Sequence, residues 1–145
     1  MAEVLVTISI LAIMAAISIP TFISWLPTHR LQTSARQIYD DLNLAKMEAV
    51  KRNTDVCITF NNVNNNYKVF VDTNGDGLQN DGASTILKNN VTLENGVTIS
   101  NSITIGFNNR GMTATAPGNI NVTNPTGIIM RISVITSGNV SISTL

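Results

Sequence analysis

Charge is scarce in this chain. Only 12% of its 145 residues are Asp, Glu, Lys or Arg, and nine acids balance nine bases to a formal net charge of zero. Such a balance gives no electrostatic pull toward nucleic acid or an anionic lipid surface. Cysteine is almost missing, and Cys57 alone cannot form an intrachain disulfide. It lies in the alternating run Val56-Cys57-Ile58-Thr59-Phe60 and reads as a small buried or half-buried strand residue. A nucleophile would need a base, and the one histidine, His29, belongs to the helical half of the chain. After Lys68 the acids are Asp72, Asp76, Asp81 and Glu94, three of them in one turn. That set offers no acid–base constellation for a hydrolase, so no enzyme is expected.

The longest gap in charge lies at the N-terminus. After Glu3 no Asp, Glu, Lys or Arg occurs until Arg30, and Val4 to Leu26 is mostly Ile, Leu, Val, Ala, Met and Phe. A bilayer-spanning helix needs roughly 20 such residues. Thr7, Ser9, Ser18, Thr21 and Ser24 interrupt the run, but a helical hydroxyl can bond a carbonyl one turn back. Pro20 predicts a kink or local loosening, and Pro27 repeats the signal. A cleaved secretory signal would want a basic leading region, where Glu3 has the wrong sign. A core helix in a soluble domain is hard to surround when every face is apolar. The expected reading is a membrane-spanning helix that also packs against copies of itself or its relatives. Glu3 is then either a headgroup-layer residue or a charge with a partner.

From Leu31 the pattern becomes amphipathic. Leu31, Ala35, Ile38, Leu42, Ala45 and Ala49 fall on one helix face, with Arg36, Gln37, Asp40, Asp41, Lys46, Glu48 and Lys51 on the others. Glu48 and Arg52 stand at pairing distance. One helix from Val4 to Arg52 would be a stalk of roughly 75 Å, whereas a break at Pro27 would give two helices. Beyond Thr54 the period becomes two: Val56/Ile58/Phe60, Tyr67/Val69/Val71, Val97/Ile99, Ile103/Ile105/Phe107 and Ile128/Met130/Ile132/Val134. With glycines punctuating the rest, six to eight short antiparallel strands in one or two sheets are expected, one face covered by the helix.

Four phrases carry a family likeness. The run from Glu3 to Pro20 resembles the class III signal of type IV pilins and type II secretion pseudopilins, with Glu3 and Pro20 matching that family's glutamate and helix proline. The phrase Leu42-Asn-Leu-Ala-Lys-Met-Glu-Ala-Val-Lys-Arg-Asn53 resembles the helix end of the GspH/FimT group of minor pseudopilins and minor pilins. Val69-Phe-Val-Asp-Thr-Asn-Gly-Asp-Gly77 resembles that group's hairpin, and Phe107-Asn-Asn-Arg-Gly111 its turn. The family's leader, cleavage glycine and first mature residues have no counterpart, and Met1-Ala2 in their place suggest a trimmed or replaced start.

This resemblance implies an α+β fold: a long N-terminal helix, the pilin stalk, packed on a C-terminal antiparallel β-sheet head. It divides the chain into an apolar transmembrane or filament-core helix (1–27), an amphipathic helix packing on the head (28–53) and a β-rich globular head (54–145). It implies a non-catalytic subunit of a type II secretion pseudopilus or type IV pilus that primes or caps the filament. The alternative is a filament-tip binding module for DNA, a secreted substrate or a surface. Implied partners are other pilin or pseudopilin subunits through the N-terminal helix, the inner membrane and the machine's assembly platform. The head would lie in the periplasm or on an extracellular filament. Glu3 would compensate a neighbour's N-terminal amine during assembly.

Two ligand questions remain. Asp72-Thr-Asn-Gly-Asp-Gly77 matches the start of a Ca²⁺ loop, with Asp72, Asn74 and Asp76 as oxygen donors and Asn80 and Asp81 as helpers. Its twelfth position is Ala83 in place of a bidentate glutamate, and Asn-Gly and Asp-Gly form turns by themselves, so a structural turn without a cofactor is the main expectation. Some FimT-like proteins bind DNA through a basic tail; here Ser137-Gly-Asn-Val-Ser141 lacks both arginines, and Arg110 and Arg131 are isolated. Phosphate binding needs clustered Lys or Arg, so no DNA-binding site is expected.

Overall fold

A computed structural model describes residues 2–78 and 85–145, with side chains at 17–24 outside the description. Among these residues helix α1 (Ala2–Arg52) precedes β1 (Asp55–Asn61), β2 (Asn66–Asp72), β3 (Ile86–Thr92), β4 (Thr98–Ile99), β5 (Ile103–Phe107), β6 (Gly118–Thr123), β7 (Ile129–Val134) and β8 (Val140–Thr144). The helix runs through Pro20 and Pro27 without a break. Lys51 and Arg52 occupy its last turn, where cations favour the dipole. Asn53 then takes a left-handed φ of 53° and closes it, with the Thr54 amide bonding back to the Ala49 carbonyl at 3.3 Å.

The strands form two antiparallel four-stranded sheets, ordered β3-β2-β1-β5 and β4-β6-β7-β8. Registers place alternating apolar residues opposite one another: Val56 with Val71, Ile58 with Val69 and Phe60 with Tyr67 in the first sheet. In the second, Ile120 faces Ile132, and Ile132 also faces Ile142. These side chains share one core with Leu31, Ala35, Ile38, Leu42, Ala45 and Ala49, all fully buried. The helix lies mainly on β1, β7 and β8. The predicted stripe is therefore the face that covers the sheets, and its alanines allow close approach.

Asparagine density, a feature of composition, becomes turn chemistry. Asn61 Oδ1 accepts the Val63 and Asn64 amides at 2.9 and 3.1 Å. Asn65, at φ 50°, donates to the Val97 carbonyl and accepts the Ile99 amide, tying β4 to the β1–β2 turn. Asn108 and Asn124 accept amides in the same way within their own turns.

One residue departs from the helical pattern. Asp41, expected on an outward face, is buried. Ser34 and Asp41 flank Ile38 and Ala45 of the stripe at helical spacing, and they too face the head.

Candidate assembly surface and its supporting contacts

Helix α1 has two unlike halves. From Leu31 onward its inner face is sealed against the sheets. Before that point Val4, Leu5, Val6, Ile8, Ile10, Leu11, Ile13 and Met14 are each 53–67% exposed. At 100° per residue these eight positions point in every direction around the helix axis. An apolar surface with no polar side is stable in water only when something covers it. Thr7 Oγ1 and Ser9 Oγ do not interrupt it, because each donates to a carbonyl one turn back, at 2.9 and 2.7 Å. Glu3 stands exposed in the first turn and makes no ion pair among the described residues. Pro20 lies within the helix, with its side chain outside the description. Among the described residues no helix is long and apolar enough to cross a membrane; side chains 17–24, in the middle of the apolar run, fall outside that statement.

The second half is clamped to the head by polar contacts that sequence reasoning missed. Asp41 Oδ2 accepts the Tyr67 hydroxyl at 2.7 Å, and its Oδ1 accepts the Lys88 ammonium at 2.5 Å. One carboxylate thus joins the helix to β2 and β3. Burial first, then the Asp41 carboxylate beside it, pushes the Tyr67 phenol above its usual range. Ser34 Oγ accepts the Glu94 amide at 3.2 Å, and Lys46 donates to the Gly138 carbonyl at 2.9 Å. Near the top of the stalk Arg30 donates to the Asn95 carbonyl at 3.4 Å. The one helical ion pair read from spacing is present, Glu48 with Arg52 at 2.7 Å, and Lys51 joins it at 3.3 Å. The Arg52 hydrogen bond is the main cause holding the Glu48 carboxyl below its ordinary range.

The Asp72 loop folds on its own side chains. Asp72 is buried, and its Oδ1 and Oδ2 accept the Gly75 and Gly77 amides at 2.8 and 2.7 Å. Asn74 Oδ1 accepts the Asp76 amide at 3.1 Å, and Asp76 Oδ1 accepts the Leu78 amide at 2.7 Å. Gly75 and Gly77 supply left-handed φ values of 76° and 73°. The calcium and turn expectations therefore meet at the same oxygens, which here face the loop's amides. Among the described residues no three His, Cys, Asp or Glu side chains are grouped to hold a metal ion. Positions 80, 81 and 83 of the calcium pattern lie outside the described residues. Beneath the loop, buried Cys57 contacts Asp72 Oδ2 at 3.6 Å. Burial and then the Asp72 charge push its thiol up to about 12, so it is held protonated and inert. Burial, with Asp72 adding to it, also raises the Asp55 carboxyl.

Arg110 occupies the Phe107–Gly111 turn, and Arg131 donates to Asn121 at 3.1 Å across β6 and β7. They lie in separate parts of the head.

A long helix with an uncovered apolar half, whose other half covers two antiparallel sheets, defines a pilin-like subunit. The family model for GspH, a type II transport protein, matches residues 34–138, more than two thirds of the chain. The chain belongs to that family, the minor pseudopilins and minor pilins. Two solved structures share the fold. The minor pseudopilin EpsH from the type 2 secretion system of Vibrio cholerae aligns with a TM-score of 0.60 at 17% identity, over 79% of this chain and 97% of that one. The type IV minor pilin FimU of Pseudomonas aeruginosa aligns with a TM-score of 0.62 at 15% identity, over 80% of this chain and 90% of that one. No curated protein matches the chain in sequence.

Proposed function

We propose that this chain is a non-catalytic structural subunit, a minor pseudopilin or minor pilin. It sits in the inner membrane through the first half of α1 and enters a type II secretion pseudopilus or type IV pilus by packing that half against the helices of other pilin-like subunits. Within the filament it primes or caps, and its head faces the periplasm or the outside. One observation carries this reading: eight exposed apolar side chains surround the helix directly after Glu3. Lipid covers that surface before assembly and neighbouring helices cover it afterwards, so the same residues serve both states. Glu3 matches an N-terminal amine on a neighbour, which lowers the cost of carrying a carboxylate into the apolar zone. The Asp72 loop acts as a turn of the head and requires no metal.

The test is fractionation of the full chain expressed with its filament machine. Resistance to alkaline extraction from the inner membrane, and co-purification with other pilin-like subunits, support the reading. A chain released by alkali and recovered alone contradicts it.

The alternative, a tip binding module, has one observation in its favour. The first sheet carries a cavity of about 360 Å³ lined by residues including Thr59, Asn66, Lys68, Phe70 and Asn90. Its single cation, Lys68, does not make a phosphate site. A flat titration with single- and double-stranded DNA at low salt is expected; saturable binding there would favour the tip reading.

A further inference from the structure

Each sheet of the head has two outer strands, β3 and β5 in the first and β4 and β8 in the second. Three of these edges are guarded. On β4 the Asn65 side chain stands where a neighbouring backbone would. Its Oδ1 accepts the Ile99 N–H at 2.8 Å, and its Nδ2 donates to the Val97 carbonyl at 2.7 Å. On β5 the Gly106 carbonyl accepts the Ala114 N–H at 2.8 Å, and the Gly106 N–H donates to Thr115 Oγ1 at 2.9 Å. On β3 the guards are Lys88, a left-handed Asn90 at φ 47° and shifts of register against β2. Charge and irregular pairing of this kind blunt an edge.

The β8 edge has none of these devices. The Leu145 N–H donates to the Ile129 carbonyl at 2.9 Å, and the Ile135 N–H donates to the Asn139 carbonyl at 3.1 Å. The odd-numbered positions of β8 therefore turn toward β7. By antiparallel alternation, the N–H and C=O groups of Val140, Ile142 and Thr144 turn the other way. Among the described residues nothing bonds them. From Ser137 to Leu145 there is no charge and no proline, and the register with β7 is unbroken.

Resting on the filament-assembly reading above, we propose that the free edge of β8 is a docking edge. It takes an extended, uncharged segment of a neighbouring pilin-like subunit as the fifth strand of its sheet.

The chemistry of the edge selects this occupant. Donors and acceptors that repeat every two residues, about 6.8 Å, match extended backbone. A helix uses its own groups internally and cannot answer them. On the core side of β8, Val140 is buried and Ile142 half-buried, while Ser141 and Ser143 are exposed on the other side. A charged residue placed opposite Ile142 would find no counter-ion in β8, so the added strand is apolar on that face. A second copy pairing β8 with β8 would satisfy the hydrogen bonds but not the membrane. In one continuous sheet the two-fold axis stands normal to the sheet and reverses the helix that lies on its face. Two such stalks would point in opposite directions and could not share one bilayer. The occupant is therefore a different subunit.

Two measurements test the edge. In the purified full chain, amide exchange at Val140, Ile142 and Thr144 is expected to be at least about tenfold faster than at Ser141 and Ser143. Equal protection would mean that the edge is already covered and would overturn the proposal. The second is photo-crosslinking from Ser143 of the full chain in cells carrying the filament machine, with and without Ser141→Lys. A crosslinker at Ile10 reports helix packing in parallel. Adducts from Ser143 to one uncharged, extended segment of another pilin-like subunit are expected, as is their loss in Ser141→Lys, with the Ile10 adducts unchanged. Ser143 adducts that are absent, that survive Ser141→Lys, or that join a helix, a second copy or a secreted protein overturn the docking edge. Ile10 adducts in the same cells would then leave the assembly reading standing. Absence of both sets of adducts overturns the assembly reading as well.

Discussion

The Tyr67 hydroxyl donates to Asp41 Oδ2 at 2.7 Å, and through that bond the helix is fixed to the middle of the first sheet. Both residues are buried, Asp41 at 4% exposure and Tyr67 at 0%. The Lys88 ammonium takes the other oxygen from the edge strand β3, so the carboxylate keeps both a hydroxyl and a cation. Removing Tyr67's hydroxyl by Tyr67→Phe should cost about 1–2 kcal/mol. Asp41→Ala strands a hydroxyl and an ammonium and should cost about 3 kcal/mol. Lys88 is partly exposed, so Lys88→Met should cost only about 1 kcal/mol. Urea unfolding of the detergent-solubilised chain measures all three. The Tyr67→Phe/Asp41→Ala double variant should be less destabilised than the sum, because both changes break one bond.

A second prediction concerns alkaline pH. The folded chain holds the Cys57 proton up to about 12, while the unfolded thiol ionises near 9.0. Between those values the native state binds more protons than the unfolded one, so stability falls as pH rises. The loss from this group approaches about 1.4 kcal/mol per pH unit. Tyr67, whose phenol is also raised, adds to the fall in the same direction. Cys57→Ala should flatten the stability profile above pH 9.0 relative to wild type. In native protein the thiol should react with a disulfide reagent only at the rate of opening; rapid reaction at neutral pH would contradict its burial.

Gly138 predicts a severe single-site effect. A Cβ there would lie 1.8 Å from the Gly111 carbonyl oxygen, and φ is 75°. Backbone cannot yield as a side chain does, so Gly138→Ala should cost at least about 3 kcal/mol. Gly75 is the control: its φ is 76° but nothing lies within 4 Å of the added atom. Gly75→Ala should cost about 1 kcal/mol, the conformational penalty alone. Thermal unfolding of both variants separates the steric effect from the dihedral one.

The Asp72 loop gives a metal test. Because both Asp72 oxygens bond amides of their own turn, Ca²⁺ and chelator should leave the melting temperature unchanged. A rise of several degrees with Ca²⁺, about 1 kcal/mol of linkage or more, would show a bound ion. Asp72→Asn should destabilise with or without Ca²⁺, because it replaces a charged acceptor in two amide bonds.

The legible parts of the fold were those where period and apolarity agree. Val56/Ile58/Phe60 and Tyr67/Val69/Val71 alternate strongly, and they pair as β1 and β2. Eight strands in two sheets fall within the expected six to eight, but β3, β6 and β8 could not be located because Asn, Ser, Thr and Gly dilute their alternation, as in Ile86-Leu-Lys-Asn-Asn-Val-Thr92. Their order in two sheets depends on tertiary pairing that no local pattern carries. Asp41 was hidden by its charge: a carboxylate reads as solvent-facing unless a partner such as Lys88, 47 residues away, is known. The spacing of Ser34, Ile38, Asp41 and Ala45 was the available signal. Glu3 was legible only as an isolated acid before an apolar run, and the partner proposed for it lies on another chain.

The central claim is that the apolar half of α1, led by Glu3, is the assembly surface. Its most direct test is photo-crosslinking from Ile10 in cells that carry the filament machine, comparing wild type with Glu3→Ala at equal amounts in the membrane. The account predicts adducts with other pilin-like subunits in the wild type and their loss in Glu3→Ala. Equal adducts in both, or none in the wild type, would contradict it.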